Sequence, residues 1–331
     1  MIGLDLGSKL AKICSVFPKG DGTYTVYAAM APTPKEDSRE DVAKTVKHLL
    51  RQVKYRKKEL FLSAGGVDLL ARDFVLPKMS AARLRDAVMM EAESNISESL
   101  DDMYSDFHVL SSPADTKTEV LFVASSKARI DKIIDSIALT DLDIAGFTAD
   151  GVAVTNAYLT FNNKTTSGSV ILINVGDTIS NISILDRGEL KFIRNVDFGG
   201  RDVTNEISSV YEVDFDSAEK IKRHPEVWGQ IGLNIKNILK KSAGNLLEAI
   251  FRSMEYCVSK QRLGKIDEIY ITGGGATLQG MDVFIWEVLG IKTAKWNPLE
   301  SDKIKSVIDR ENGYFASVAL GLALSKEIAN V

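Results

Sequence analysis

The strongest constraint on this chain is a strand–bend–strand pattern that occurs twice. Near its start the chain reads Ile2-Gly3-Leu4-Asp5-Leu6-Gly7-Ser8, and past its middle it reads Leu172-Ile173-Asn174-Val175-Gly176-Asp177-Thr178. In each, an apolar strand ends on a polar side chain, a glycine follows two residues later, and a second apolar run returns (11–16 and 179–185). Slid over one another, Asp5 meets Asn174, Gly7 meets Gly176 and Ser8 meets Asp177. Apolar runs joined by a short glycine-bearing bend read as hairpins, so the fold contains the same hairpin in two like halves. A third glycine-rich turn, Ile271-Thr272-Gly273-Gly274-Gly275-Ala276, follows another apolar strand. Glycines let a backbone approach a bulky anion with its N–H groups forward. Three such loops, two of them a pair, point to a nucleotide held between two lobes.

A chain of 331 residues exceeds one small core, in keeping with two lobes. The net charge of −4 supplies no basic field for nucleic acid. The two cysteines, Cys14 and Cys257, lack CxxC partners, so neither a disulfide framework nor a zinc site is expected, and a reducing cytoplasmic setting is. The start lacks the features of a signal peptide, and no apolar run reaches membrane-spanning length.

Along the chain, residues 1–30 read as two strands turning at Gly20-Asp21-Gly22. Residues 37–55 have helical spacing, with Val42, Val46, Leu49, Leu50 and Val53 as the apolar stripe, and 59–64 is a strand. A strand at 74–77 closes the first block. Ser80 is placed to cap a helix through Asn95, 120–125 reads as a buried strand and 127–137 as a helix. Residues 78–147 thus form a small α+β module inserted in the first lobe. A helix from Asp150 returns to that lobe, and the polar cluster at 162–169 marks the boundary. Residues 170–198 repeat the hairpin theme, 202–263 are mostly helical, 268–272 is a strand, and helices follow at 278–289 and 313–328.

No GxxxxGK[ST] P-loop occurs, and the GGGATLQG stretch lacks the setting of a dinucleotide fingerprint. His48, His108 and His224 are scattered, with no catalytic or metal-ligand constellation. The basic run 54–58 suits a helix C-terminus. Mg²⁺ needs only one or two carboxylates. Asp5 is the first candidate, acting mostly through water, with Lys12 in reach of phosphate.

In this order and spacing the three loops resemble the actin-like ATPases, with 5–12, 174–182 and 271–276 as the two phosphate motifs and the adenosine motif. The likeness is closer still to the PilM family of type IV pilus assembly proteins, on Leu76-Pro77-Lys78-Met79-Ser80, Leu84-Arg85-Asp86-Ala87-Val88, Gly199-Gly200-Arg201-Asp202-Val203-Thr204 and Ala218-Glu219-Lys220-Ile221-Lys222. It implies a two-lobed α/β actin-like ATPase fold built on duplicated RNase H-like cores. Residues 1–77 and 148–165 would form subdomain 1A, 78–147 an inserted 1C subdomain, and 166–331 the second lobe, with a helical 2B near 202–263 and a last helix free to pack back on 1A. It implies ATP or ADP with Mg²⁺, bound by Asp5, Gly7, Ser8, Lys12, Asn174, Gly176, Asp177, Thr178, Gly200, Glu219, Lys222, Gly273, Gly274 and Gly275. The family usually carries Asp where Asn174 stands. An amide lacks the charge that steadies hydrated Mg²⁺, and Asp177 offers a substitute, so slow or absent hydrolysis is expected.

The resemblance further implies a cytoplasmic scaffold at the inner membrane, holding the N-terminal peptide of a PilN-like protein in a groove between 1A and 1C. PilO and the pilus motor ATPases would be indirect partners, and self-association is compatible with it. The competing readings are an FtsA-like division protein, the actin-like component of a type II secretion system, and a sugar kinase of the same superfamily.

Overall fold

A computed structural model describes residues 1–34, 38–110, 116–162, 168–224, 235–260, 263–306, 310 and 312–325. In the first lobe β1 (Ile2–Leu6), β2 (Leu10–Pro18) and β3 (Tyr24–Pro32) run antiparallel, and β4 (Glu59–Ser63) and β8 (Asp143–Thr148) add in parallel beyond β1. Residues 1–30 therefore hold three strands where two were expected, because the bend at Gly7 and Ser8 reverses the chain as fully as the turn at Gly22 does.

The second lobe repeats this order. Strands β9 (Ser169–Val175), β10 (Ser180–Asp186) and β11 (Glu189–Val196) are antiparallel, and β12 (Ile266–Thr272) and β13 (Thr293–Lys295) are parallel beyond β9. The sheet orders match strand for strand, except that β14 (Ile304–Ser306) returns from late in the chain to flank β3. The register extends the duplication: Lys12 stands opposite Asp5, and Asn181 opposite Asn174.

Strand β9 is buried at all seven positions. Its Ile171, Ile173 and Val175 join one apolar cluster, and Val170 and Leu172 join another. A central strand covered on both faces reads as an unbroken apolar run. One cover is the group α5 (Gly200–Tyr211), α6 (Phe215–Arg223), α7 (Ile235–Ser242), α8 (Gly244–Lys260) and α9 (Met281–Leu289). The other contains α4 (Asp150–Phe161) and α10 (Ser317–Leu322). Helix α10 packs against α4, β1, β2 and β4. Their backbones touch, since a Cβ on Gly321 would lie 1.7 Å from the Ala153 carbonyl oxygen. A 3-10 turn, Gly313–Ala316, precedes α10, so the expected helix over 313–328 begins later than its apolar spacing suggested, and its end lies outside the described residues.

Helix α1 (Arg39–Leu50) is capped by Ser38, whose hydroxyl accepts from the Asp41 N–H, and carries Glu40 and Asp41 in its first turn. It ends at Leu50, so the basic run 54–58 lies in the connector to β4 rather than on the helix; Asp37 is outside the described residues.

A small sheet of order β5-β7-β6 sits beside the first lobe, formed by β5 (Leu70–Pro77), β6 (Met103–Leu110) and β7 (Lys117–Ser126). Leu84, Val88 and Ala92 of α2 (Ala81–Asn95) pack on it, and the Ser80 hydroxyl makes no capping bond. Two expectations change here. Strand β5, read as the end of the first block, pairs with β7, so the small sheet starts at Leu70. Conversely α3 (Lys127–Ala138) buries Ile133 and Ile137 with Val46 and Leu49 of α1, and β8 pairs with β4. By pairing, the module spans about 70–126 rather than 78–147. Cross-strand pairing sets the extent of a sheet, and spacing along one strand does not reveal its partner. The polar cluster at 162–169 falls mostly on residues outside those described, with β9 beginning at Ser169. Among the described residues no helix is long and apolar enough to cross a membrane.

Candidate functional site

Strands β1 and β9 deliver their bends to one cleft. The Ser8 hydroxyl donates to an Asp177 carboxylate oxygen at 3.4 Å, and the Thr178 hydroxyl donates to Ser8 Oγ at 3.4 Å. The two glycine bends thus face each other across the lobes. Each is anchored from behind: Thr33 Oγ1 donates to the Gly7 carbonyl at 2.6 Å, and the Gly200 and Arg201 N–H groups donate to the carbonyls of Gly176 and Asp177 at 2.9 and 2.8 Å. Gly200 therefore seats the second bend on the start of α5.

Charged groups ring the bends. Lys12 pairs with Asp5 at 2.7 Å, and both are largely buried. Arg201 engages Asp177 through Nη2 and Nε at 3.0 and 3.2 Å. Lys9 reaches across the cleft to Glu219 at 2.6 Å. Glu219 also takes Lys222 at 2.8 Å, Arg223 at 3.1 Å and the Thr204 hydroxyl at 2.8 Å. Burial alone would raise the Glu219 carboxyl, but bonds from Lys222, Lys9 and Thr204 outweigh it and hold the group well below the usual range. Burial lowers the Lys222 ammonium, which also donates to the Gly200 carbonyl and Thr204 Oγ1. Glu219 and Lys222 stand at the cleft, where Glu219 bridges Lys222 and Lys9 as a latch between the lobes.

The third loop lies against the end of β9. Gly273 has φ of 82°, and a Cβ there would fall 2.4 Å from Asn174 Oδ1 and 2.6 Å from the Val175 carbonyl, so only glycine fits. Gly274 abuts Phe315 and Gly275 abuts Val175. Both open a 3-10 turn, Gly274–Thr277, whose leading N–H groups have no acceptor within the turn.

One cleft residue escaped the sequence reading. Asp150, first residue of α4, receives a hydrogen bond from Ser63 Oγ and lies against the Gly65 backbone. Burial of its carboxyl, then the charge of Asp5, push its pKa up to about 6 against the pull of Ser63, Lys12 and Arg129. The available signal was a lone acid opening an otherwise apolar helix. Arg129 lies against Gly66, and its buried Nε has no hydrogen-bond partner.

Among the described residues no group of three or more His, Cys, Asp or Glu could by itself hold a metal. Asp177 is paired with Arg201 much as Asp5 is with Lys12. With the Asn174 amide oxygen the two carboxylates make a sparse, all-oxygen set. That set suits Mg²⁺, which keeps several waters and is commonly carried by substrate phosphates.

A groove runs along the seam between the small sheet and the first lobe. It has a volume of about 350 Å³ and a mainly apolar lining that includes Leu69, Tyr104, Val123, Ile130, Ile134 and Phe147. Tyr104 and Ile134 keep 46% and 37% exposure, so the groove is accessible.

Among solved structures, the chain is similar to one from a PilM–PilN type IV pilus biogenesis complex, with a TM-score of 0.80 and 22% identity over 98% of this chain and 97% of that one. It is also similar to the ethanolamine utilization protein EutJ from Carboxydothermus hydrogenoformans, with a TM-score of 0.52 and 16% identity over 98% and 88% of the two chains. MreB5 of Spiroplasma citri bound to AMPPNP gives 0.52 and 14% over 99% and 98%. These likenesses establish the actin-like ATPase fold. The family model for type IV pilus assembly protein PilM matches residues 3–327, and with that match over nearly its whole length the chain belongs to the PilM family.

Proposed function

We propose that this chain is a nucleotide-binding scaffold of the type IV pilus inner-membrane platform. It holds the cytoplasmic N-terminal peptide of a PilN-like membrane protein in the groove between the small sheet and the first lobe, and turns over ATP slowly or not at all. The observation that carries the reading is the meeting of the two bends, Ser8 against Asp177, in a chain whose first lobe also bears an accessible apolar groove at its seam with the small sheet. Family membership and the likeness to a PilM–PilN complex support the partner. The likeness to an AMPPNP-bound MreB supports the ligand.

ATP or ADP would lie between the bends with the Gly273 turn against its nucleoside. Asp5 and Asn174 would hold Mg²⁺ through its waters, where it would offset phosphate charge. Asp150 is the cleft group able to take a proton from water near neutral pH. Asn174 supplies no negative charge beside it, which keeps hydrolysis slow. Membrane attachment would come through the partner, at the cytoplasmic face.

The test is a titration of a labelled synthetic peptide, copied from the N-terminus of the PilN-like protein, against the full chain. Ile134→Asp places a charge in the apolar groove from an already exposed position, so folding is spared. The variant is expected to bind the peptide about tenfold more weakly or worse. Unchanged affinity would remove the groove as the peptide site.

A further inference from the structure

Three side-chain amides cross three neighbouring strands of the second lobe in a line. Asn174 on β9, Asn181 on β10 and Asn195 on β11 stand directly opposite one another in the register. Nδ2 of Asn174 donates to Oδ1 of Asn181 at 2.8 Å, and Nδ2 of Asn181 donates to Oδ1 of Asn195 at 2.8 Å. Nδ2 of Asn195 then leaves the lobe and donates to the carbonyls of Gly66 and Leu69 at 3.2 and 3.4 Å. Gly66 and Leu69 belong to the first-lobe segment between β4 and β5, and Leu69 lines the groove. Asn174 and Asn181 are buried, so their amides have no bulk water to turn to.

The far end dictates the sense of this chain. An amide can exchange its oxygen and nitrogen by a flip, so a free row of asparagines could run either way. A backbone carbonyl can only accept. Asn195 must therefore turn Nδ2 to Gly66 and Leu69, which leaves its Oδ1 for Asn181, and Asn181 in turn offers its own Oδ1 to Asn174. The bond to Asn181 turns the Asn174 nitrogen inward along the row, which leaves its Oδ1 on the other side, against Gly273 of the third loop. An oxygen there repels a phosphate oxygen and accepts from a donor such as a cation's water. In the first lobe the same two register positions hold the ion pair of Asp5 and Lys12.

We propose that Asn181 and Asn195 are positioning residues. Anchored on Gly66 and Leu69, they lock Asn174 as an acceptor, make nucleotide binding depend on a hydrated divalent cation, and tie that state to the segment bordering the groove. The ligand part rests on the nucleotide reading given above, whereas the lock itself does not.

Two measurements on the full chain test it. In the first, AMPPNP is titrated calorimetrically with Mg²⁺ and with EDTA. The wild type is expected to bind about tenfold more tightly with Mg²⁺. Asn195→Ala frees Asn181 and Asn174 to flip, so it keeps the metal-free affinity within about twofold and loses the Mg²⁺ advantage. Asn181→Ala is expected to do the same. An undiminished Mg²⁺ advantage in both variants overturns the proposal. The second measurement uses no ligand and compares the Tm of Asn174→Ala, Asn195→Ala and the double variant. One shared chain requires the double variant to lose clearly less than the sum of the singles, because either break releases the rest. Additive losses overturn the lock. Non-additive losses in a wild type that binds no nucleotide under either condition support the lock and overturn the function proposed above.

Discussion

At the residue scale the cleft is a set of charges whose settings follow from their neighbours. Asp150 and Glu219 are set in opposite directions, and at Asp150 burial outweighs the pull of Ser63, Lys12 and Arg129. Its folded pKa lies above its unfolded value, so its contribution to stability is fully present below about pH 4 and is lost as the pH rises through about 6. Asp150→Asn removes this titration while keeping an oxygen for the Ser63 hydroxyl. The variant is therefore expected to gain about 2 kcal/mol on the wild type between pH 4.5 and 7.5. Urea denaturation of both proteins at the two pH values measures the change, and a constant difference would show that burial does not tax the carboxylate. Glu219 has the opposite sign: its carboxyl is depressed, so its contribution is present at neutral pH and fades as the solution is acidified below the ordinary carboxylate range.

At the element scale the critical contact is between α10 and α4. Helices normally pack 8–10 Å apart, but a Cβ at Gly321 would meet Ala153 backbone, so this pair comes closer than side chains allow. Both helices are buried nearly all round and lie between the sheets of the two lobes. Gly321→Val is expected to wedge them apart and cost about 3 kcal/mol. Gly244→Ala, at the start of α8 with open space around it, is expected to be neutral or stabilising by about 0.5 kcal/mol. Urea midpoints of the two variants check the contrast, and equal losses would mean that the α10–α4 approach carries no special weight. The sequence announced α10 as a core helix by its Ala, Leu and Gly content, and the family resemblance allowed it to return to the first lobe, but the close backbone approach to α4 depends on where a chain end comes to rest in space.

At the scale of the whole molecule, the ion pair Lys9–Glu219 joins the two lobes beside the contacts of Ser8 with Asp177 and Thr178. A partly exposed pair of this kind adds less than about 1 kcal/mol to global stability, yet it bridges the mouth of the cleft. Lys9→Ala is expected to leave the urea midpoint almost unchanged while raising the radius of gyration of the nucleotide-free chain in X-ray scattering. An unaltered radius would show that packing of α4 and α10, and not the latch, sets the lobe angle. Closure by a ligand is a hinge or shear motion of such lobes, and the segment from Ala64 to Leu69 is where that motion would reach the groove.

The duplicated hairpins, the three glycine loops and the mostly helical stretch over 202–263 were legible in the sequence because each is local: apolar period, bend chemistry and close backbone approach are written within a few residues. That the two bends meet across one cleft was implied by the family resemblance, and the contacts of Ser8 with Asp177 and Thr178 bring them together. What only the tertiary structure decided was non-local. It assigned β5 to the small sheet and α3 and β8 to the first lobe, because a strand's partner is chosen by pairing and burial at a distance. It enclosed the Asp150 carboxyl beside Asp5, committed Asp177 to Arg201, and aligned Asn174, Asn181 and Asn195 into one directed row. Hydrogen-bond sense and carboxyl pKa depend on which groups end up as neighbours across lobes, and no spacing along the chain encodes that.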